Sequence, residues 1–257
     1  MKEQPVETIK YRGFNINIYQ DEMAEDPREW DNIGHMACTH RDYHLGDKEF
    51  VGKDGDEVVE KILAALTGDN KASVIRDTWG FHGTSSFVDK GLYIISKLAP
   101  VILPLYLLDH SGLLMRAGSN GVSYSRRGAY ECDAQGWDTS MVGFIFCTWD
   151  DVKREYGLGK DAVEKAEKYL RGEVETYSQY LEGSVYWYSI EPTDRNKGID
   201  CDDSCGGFYG YEWKKNGLLE SAEDAIDCAI QAYRDNAVKM HDEKLETNKF
   251  LRECWAD

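Results

Sequence analysis

The sequence predicts an α+β fold: a mainly antiparallel sheet flanked by helices, with a long helix at the C-terminus. Strand-like and helix-like segments mix along the chain without a regular βαβ rhythm. The strand patterns are of two kinds, alternating and continuously apolar, and residues 218–251 run without a proline. No internal repeat and no linker interrupts the chain. Residues 1–257 therefore read as one α+β domain, with a long loop over 111–140 and a helical segment over 218–251.

The elements follow in order. In residues 11–19, Phe14, Ile16 and Ile18 alternate with Gly13, Asn15 and Asn17, the pattern of a half-buried strand. Residues 20–31 form an acidic loop with Pro27 inside it and Arg28 as its single base. From Asp56 to Leu66, Val58, Val59, Ile62, Leu63 and Leu66 make a helical stripe, and Gly68 is a natural stop. Leu92–Ile95 and Val101–Leu108 read as two buried strands split near Pro100. Strands apolar on both faces belong in the middle of a sheet. Val142–Cys147 is a further compact strand, and Thr148-Trp149-Asp150-Asp151 has the threonine cap and early acids of a helix start. Helical spacing covers Asp161 to Leu181. Ser184–Ile190 is an aromatic strand ended by Pro192, and Gly207–Trp213 reads as another. Leu219, Ala222, Ile226, Ala229, Ile230 and Tyr233 line one face of the last helix.

Composition narrows the functions. With 42% hydrophobic residues in 257, the chain can bury a sizeable core. Asp and Glu number 47 against 30 Lys and Arg, a net charge of −17. That argues against a nucleic-acid binder that uses a basic face and against attraction to anionic membranes. The longest apolar run, Leu92–Leu108, is broken by Ser96, Lys97, Pro100 and Pro104, so no membrane span is expected. Seven scattered cysteines, with no apolar signal segment in residues 1–7, read as reduced thiols in a cytoplasmic protein. Cys201 and Cys205 have a spacing that zinc permits, but no second pair accompanies them.

Four constellations carry candidate chemistry. Residues 29–47 hold His35, His40 and His44 among Asp31, Asp42 and Asp47, with Trp30, Arg41 and Tyr43 interleaved. This segment reads as a polar loop packing its aromatics on the body, or as a partner- or ligand-binding loop. A metal reading rests on His40 and His44 sharing a helical face, which Gly34 and Gly46 oppose. Asp109-His110-Ser111-Gly112 follows a buried strand, where functional groups gather, but neighbours on a strand point to opposite faces and do not make a triad. The glycine-rich stretch with Arg116, Arg126 and Arg127 offers anion contacts without a phosphate-loop spacing. Acids mark the middle helix at Glu164, Glu167, Glu173, Glu175 and Glu182, and the last helix at Glu220, Glu223, Asp224 and Asp227. Such rows are a solvated face or a surface that presents carboxylates to a basic partner.

Several motifs also carry a likeness. Asp26-Pro27-Arg28-Glu29-Trp30-Asp31-Asn32, His40-Arg41-x-Tyr43-x-Leu45-Gly46-Asp47, Leu105–Gly112, Val142–Ile145, Gly172–Tyr177 and Ser204–Gly210 resemble a group of acidic proteins of unknown function encoded by bacteriophages and mobile elements. An aromatic often follows the cysteine there, where this chain has Gly206. The resemblance carries over no catalytic residue. It implies a phage-derived accessory protein acting against a host protein, including one that handles nucleic acid in defence.

The expectation from the sequence is therefore an acidic cytoplasmic protein without cofactor or metal that binds a host protein. Its contact residues would be Trp30, Asp31, His35, His40, Arg41, Tyr43, Asp109, His110 and Arg126. The competing expectation is a ligand-binding protein or metal-dependent hydrolase with a pocket of His35, His40, Asp109 and His110.

Overall fold

In the computed structural model, residues 4–79, 84–122 and 129–254 are described. The chain is α+β, and among the described residues every strand pairing is antiparallel. Where the sequence reading drew one domain, the backbone divides into two compact units, residues 1–24 with 183–257 and residues 25–182.

The second unit holds a sheet of order β3-β6-β4-β5, made of β3 (His35–Cys38), β4 (Val101–Asp109), β5 (Leu113–Ala117) and β6 (Thr139–Cys147). The continuous apolar runs of β4 and β6 are explained by helices on both sheet faces. Leu103, Leu105 and Leu107 face α4 (Trp149–Tyr156) and α5 (Ala162–Glu182) through Val152, Leu170 and Val174. Ile102, Phe144 and Phe146 face α1 (Gly55–Thr67) and α3 (Thr84–Leu98) through Ile62, Leu63, Leu92 and Ile95. Alternate side chains of a strand serve opposite layers, so each central strand must be apolar throughout. Thr148 caps α4, as the sequence predicts, and the Asp151 side chain accepts the Thr148 amide in return to close a reciprocal box.

Three expectations are corrected in this unit. Leu92–Ile95 lies inside α3, not in a strand: Leu92 and Ile95 are buried while Tyr93 is exposed, a helical period that a four-residue apolar run cannot reveal. His35–Cys38, read as loop, is edge strand β3. The segment 111–140 is not one loop: it contains β5, whose Met115 amide donates to Ser178 Oγ of α5 at 2.9 Å, and the start of β6. A further helix, α2 (Asp69–Trp79), was not anticipated.

The first unit holds the sheet β1-β2-β7-β8, with β1 (Glu7–Tyr11), β2 (Phe14–Gln20), β7 (Val185–Pro192) and β8 (Ser204–Tyr209). Of the strand read over 11–19, residues 14–19 form one arm of a hairpin, and Tyr11 ends the other. Arg12 (φ 46°) and Gly13 (φ 86°) make its two-residue turn, a left-handed pair that matches the twist of the strands. Phe14, Ile16 and Ile18 point to one side with Tyr188 and Ile190. There they meet Leu218, Leu219, Ala222 and Ile226 of α6 (Leu218–Cys254). On the other side Tyr19 stacks on its cross-strand partner Trp187, with centroids 4.4 Å apart. Among the described residues no helix is long and apolar enough to cross a membrane.

Candidate functional site

The site grows from Arg28. Asp26 caps a 3-10 turn at Pro27–Glu29 by accepting the Arg28 amide at 2.8 Å, and the proline supplies the φ the turn requires. The turn points the Arg28 side chain inward, where only 3% of it remains exposed. All three guanidinium nitrogens find acceptors: Nε donates to Asp47 Oδ1 at 2.7 Å, Nη1 to Glu173 Oε2 at 2.8 Å and Nη2 to the Gly34 carbonyl at 2.6 Å. The carboxylates are bound in turn. Glu173 Oε1 accepts the amides of Ile33 and Gly34, each at 3.1 Å, and Asp47 Oδ2 accepts the Met36 amide at 2.8 Å.

Burial alone would lower the Arg28 pKa, but the hydrogen bonds and charges of Asp47 and Glu173 hold it raised. Burial pushes the Glu173 carboxyl upward, opposed by Arg28 and the two amides. Every partner of Glu173 is a donor, so the ionised form fits this pocket. Gly34 is required by close approach: a Cβ there would lie 2.7 Å from Glu173 Oε2 and 2.9 Å from Ile145 Cδ1. Tyr177 adds a second tie to α5, its hydroxyl accepting the Gly46 amide at 3.0 Å.

This anchoring leaves Trp30 displayed with 44% of its surface exposed, between two depressions. On one side lies a cleft of about 490 Å³ with Tyr156, Tyr169 and the bare backbone at Gly172, and with Lys165 and Lys168 on its wall. On the other lies a groove of about 500 Å³ with Asp26, Glu29, Asp31, Asp47 and Glu49. Trp30 and Asn32 belong to both. Within the groove, a hydrogen bond from Lys48 holds the Glu29 carboxyl below its usual range. Asp31 and Glu49 have no such partner among the described residues.

His35 also lines the groove. Its Nε2 lies 3.1 Å from Asp151 Oδ2, and its ring packs against both Phe50 and Phe146, which also meet each other edge to face. The hydrogen bond with Asp151 raises the His35 pKa against the opposing effect of burial. Burial would raise Asp151 itself, but His35, the Thr148 hydroxyl and the Thr148 amide together hold it lowered.

The remaining expected site residues are elsewhere in the same unit. His40 stacks on Tyr43 with centroids 4.9 Å apart, and the Tyr43 hydroxyl donates to Asp109 Oδ2 at 3.2 Å, which raises the phenol's pKa. Arg41 pairs with Asp42, and His110 Nδ1 lies 3.1 Å from Asp138 Oδ2. His40 and His44 are not on a helix. His35 sits opposite Phe146, whereas the Asp109 amide bonds the Asp138 carbonyl just before Thr139. Seven residues of β6 separate those points, roughly 23 Å at strand rise. The pocket of His35, His40, Asp109 and His110 therefore does not form. Among the described residues, no three His, Cys, Asp or Glu side chains gather as metal ligands. Arg126 and Arg127 lie outside the described residues.

Of the residues expected from the sequence, Trp30, Asp31 and His35 line one groove, and the sequence reading missed what positions them. Glu173 read as one of a row of solvated acids, and it is buried. A lone arginine in an acidic loop, and a glutamate following a glycine inside a helix, were the available signals. No family model, curated protein or solved structure matches this chain.

Proposed function

We propose that the protein is a non-catalytic recognition protein that binds a basic segment of a host protein at Trp30. An apolar side chain of the partner enters the cleft beside Trp30, Tyr156 and Tyr169. The adjacent lysine or arginine lies in the carboxylate groove against Asp31 and Glu49. The observation that carries this reading is the shared position of Trp30 on both depressions. A displayed tryptophan held by a rigid buried network has the character of an interface anchor, since large aromatic side chains concentrate binding energy at low entropic cost. The net charge of −17 supports capture of a basic partner by long-range attraction. The likeness to bacteriophage-encoded proteins supports a host protein as the source of that segment.

Short fluorescent peptides test the reading directly. One set carries a leucine or tryptophan followed by two lysines, and a matched set carries glutamates in their place. The basic set binds, weakens as salt is raised, and loses about 2 kcal/mol or more with Trp30→Ala. Equal affinity of the two sets, or binding indifferent to Trp30, would overturn the proposal.

A further inference from the structure

In the first unit, α6 continues well past the sheet it packs on. Leu219, Ala222 and Ile226 are buried, but every residue from 231 to 252 is exposed. That free arm is about 33 Å long at helical rise. The side of the helix that packs on the sheet carries on along it. Ile230, Tyr233, Ala237, Met240 and Leu251 fall at alternating intervals of four and three, with Lys244 and Thr247 at the two positions between Met240 and Leu251. This is the a/d repeat of a coiled coil, interrupted once by polar residues. Tyr233, Met240 and Leu251 are 50%, 58% and 47% exposed. A helical arm exposed along its described length has mainly intrinsic propensity to hold it, and most helices in proteins depend on a covered apolar face.

We infer that the arm pairs with the same arm of a second copy, joining two chains through α6. The charge pattern selects this occupant. The chain as a whole carries −17, yet the arm is balanced, with five bases from Arg234 to Arg252 and five acids from Asp235 to Glu253. A second copy therefore meets no net repulsion along the arm, and a strongly charged partner gains no attraction there. Three heptads side by side bury on the order of 1,200 Å² in total, the lower bound for a stable interface. Lys244 in the seam weakens the pair and sets its register. The association is independent of the Trp30 site.

Sedimentation velocity of the full chain between about 1 and 200 µM tests the inference. The wild-type chain shifts from monomer to dimer across that range, and its far-UV helical signal rises with it. Met240→Glu with Leu251→Glu stays monomeric throughout. Val238→Glu with Leu245→Glu adds the same charge away from the seam and still dimerises. Tryptophan fluorescence of all three remains the same if the sheets are intact. A wild-type chain that is monomeric at the highest concentration overturns the inference, whatever else covers the stripe. So does a dimer that survives the seam variant, or one lost equally in both variants.

Discussion

The two units are built from the same part, a four-stranded antiparallel sheet, and they finish it in opposite ways. The second unit covers both sheet faces with helices and buries an ionic network between the loop after Asp26 and α5. The first unit packs its sheet against α6 and keeps its charges outside: Arg12 and Asp227 pair at 2.8 Å with about half of the arginine exposed. The difference shows how a charge works in each setting. A buried guanidinium with every nitrogen bonded fixes the path of a loop and so the place of Trp30. An exposed pair fixes little, because water competes for both partners.

Removing the two arginines breaks or sharpens this contrast most strongly. Arg28→Ala leaves the buried Glu173 and the half-buried Asp47 without their counter-charge and costs about 3–5 kcal/mol. Arg12→Ala costs less than about 1 kcal/mol. Chemical denaturation of both variants measures the gap, and near-equal losses would remove the distinction between the units.

A smaller effect separates the two halves of α6. Ile226→Ala empties a fully buried position against the first sheet and costs about 2–4 kcal/mol. Met240→Ala, two heptads along the same side, changes the stability of the monomer by less than about 0.5 kcal/mol. Thermal unfolding at low protein concentration compares them.

The smallest effect is on pH dependence. His35 has a raised pKa when folded, so its contribution is complete below the unfolded value of about 6.5 and fades as pH rises through the folded value. Asp151 has a lowered pKa, so its contribution is complete above about 3.9 and fades only as pH falls through the folded value. Both groups are charged between those limits. The melting-temperature difference between wild type and His35→Gln is therefore largest near pH 5–6 and shrinks toward pH 9. The first unit has only His241, exposed on the arm, and provides the contrast. A difference that does not vary with pH would show that the pair is held by packing against Phe50 and Phe146 alone.

Much of the fold is legible in the residues because the signals are periodic. The alternation at Phe14, Ile16 and Ile18, the unbroken apolar run of β4 and the cap at Thr148 each have one physical solution. Leu92–Ile95 was misread because four apolar residues satisfy both a strand and a buried helical turn. The site was half legible. Trp30 stands out as a large aromatic in an acidic loop, whereas Glu173 looks like its exposed neighbours on α5, and only its facing toward Arg28 distinguishes it.

The sequence by itself determined the class of fold, the central place of β4, the apolar strand within β6, the start of α4 and the acidic character of the chain. These follow from local periodicity, capping and charge count, which need no knowledge of distant residues. Tertiary structure alone decided that Arg28 meets Glu173 across 145 positions, that His35 and His110 stand at opposite ends of a strand, and that residues 231–252 of α6 are left exposed. Those are facts about which segments meet, and a contact between remote residues leaves no mark in the spacing of either.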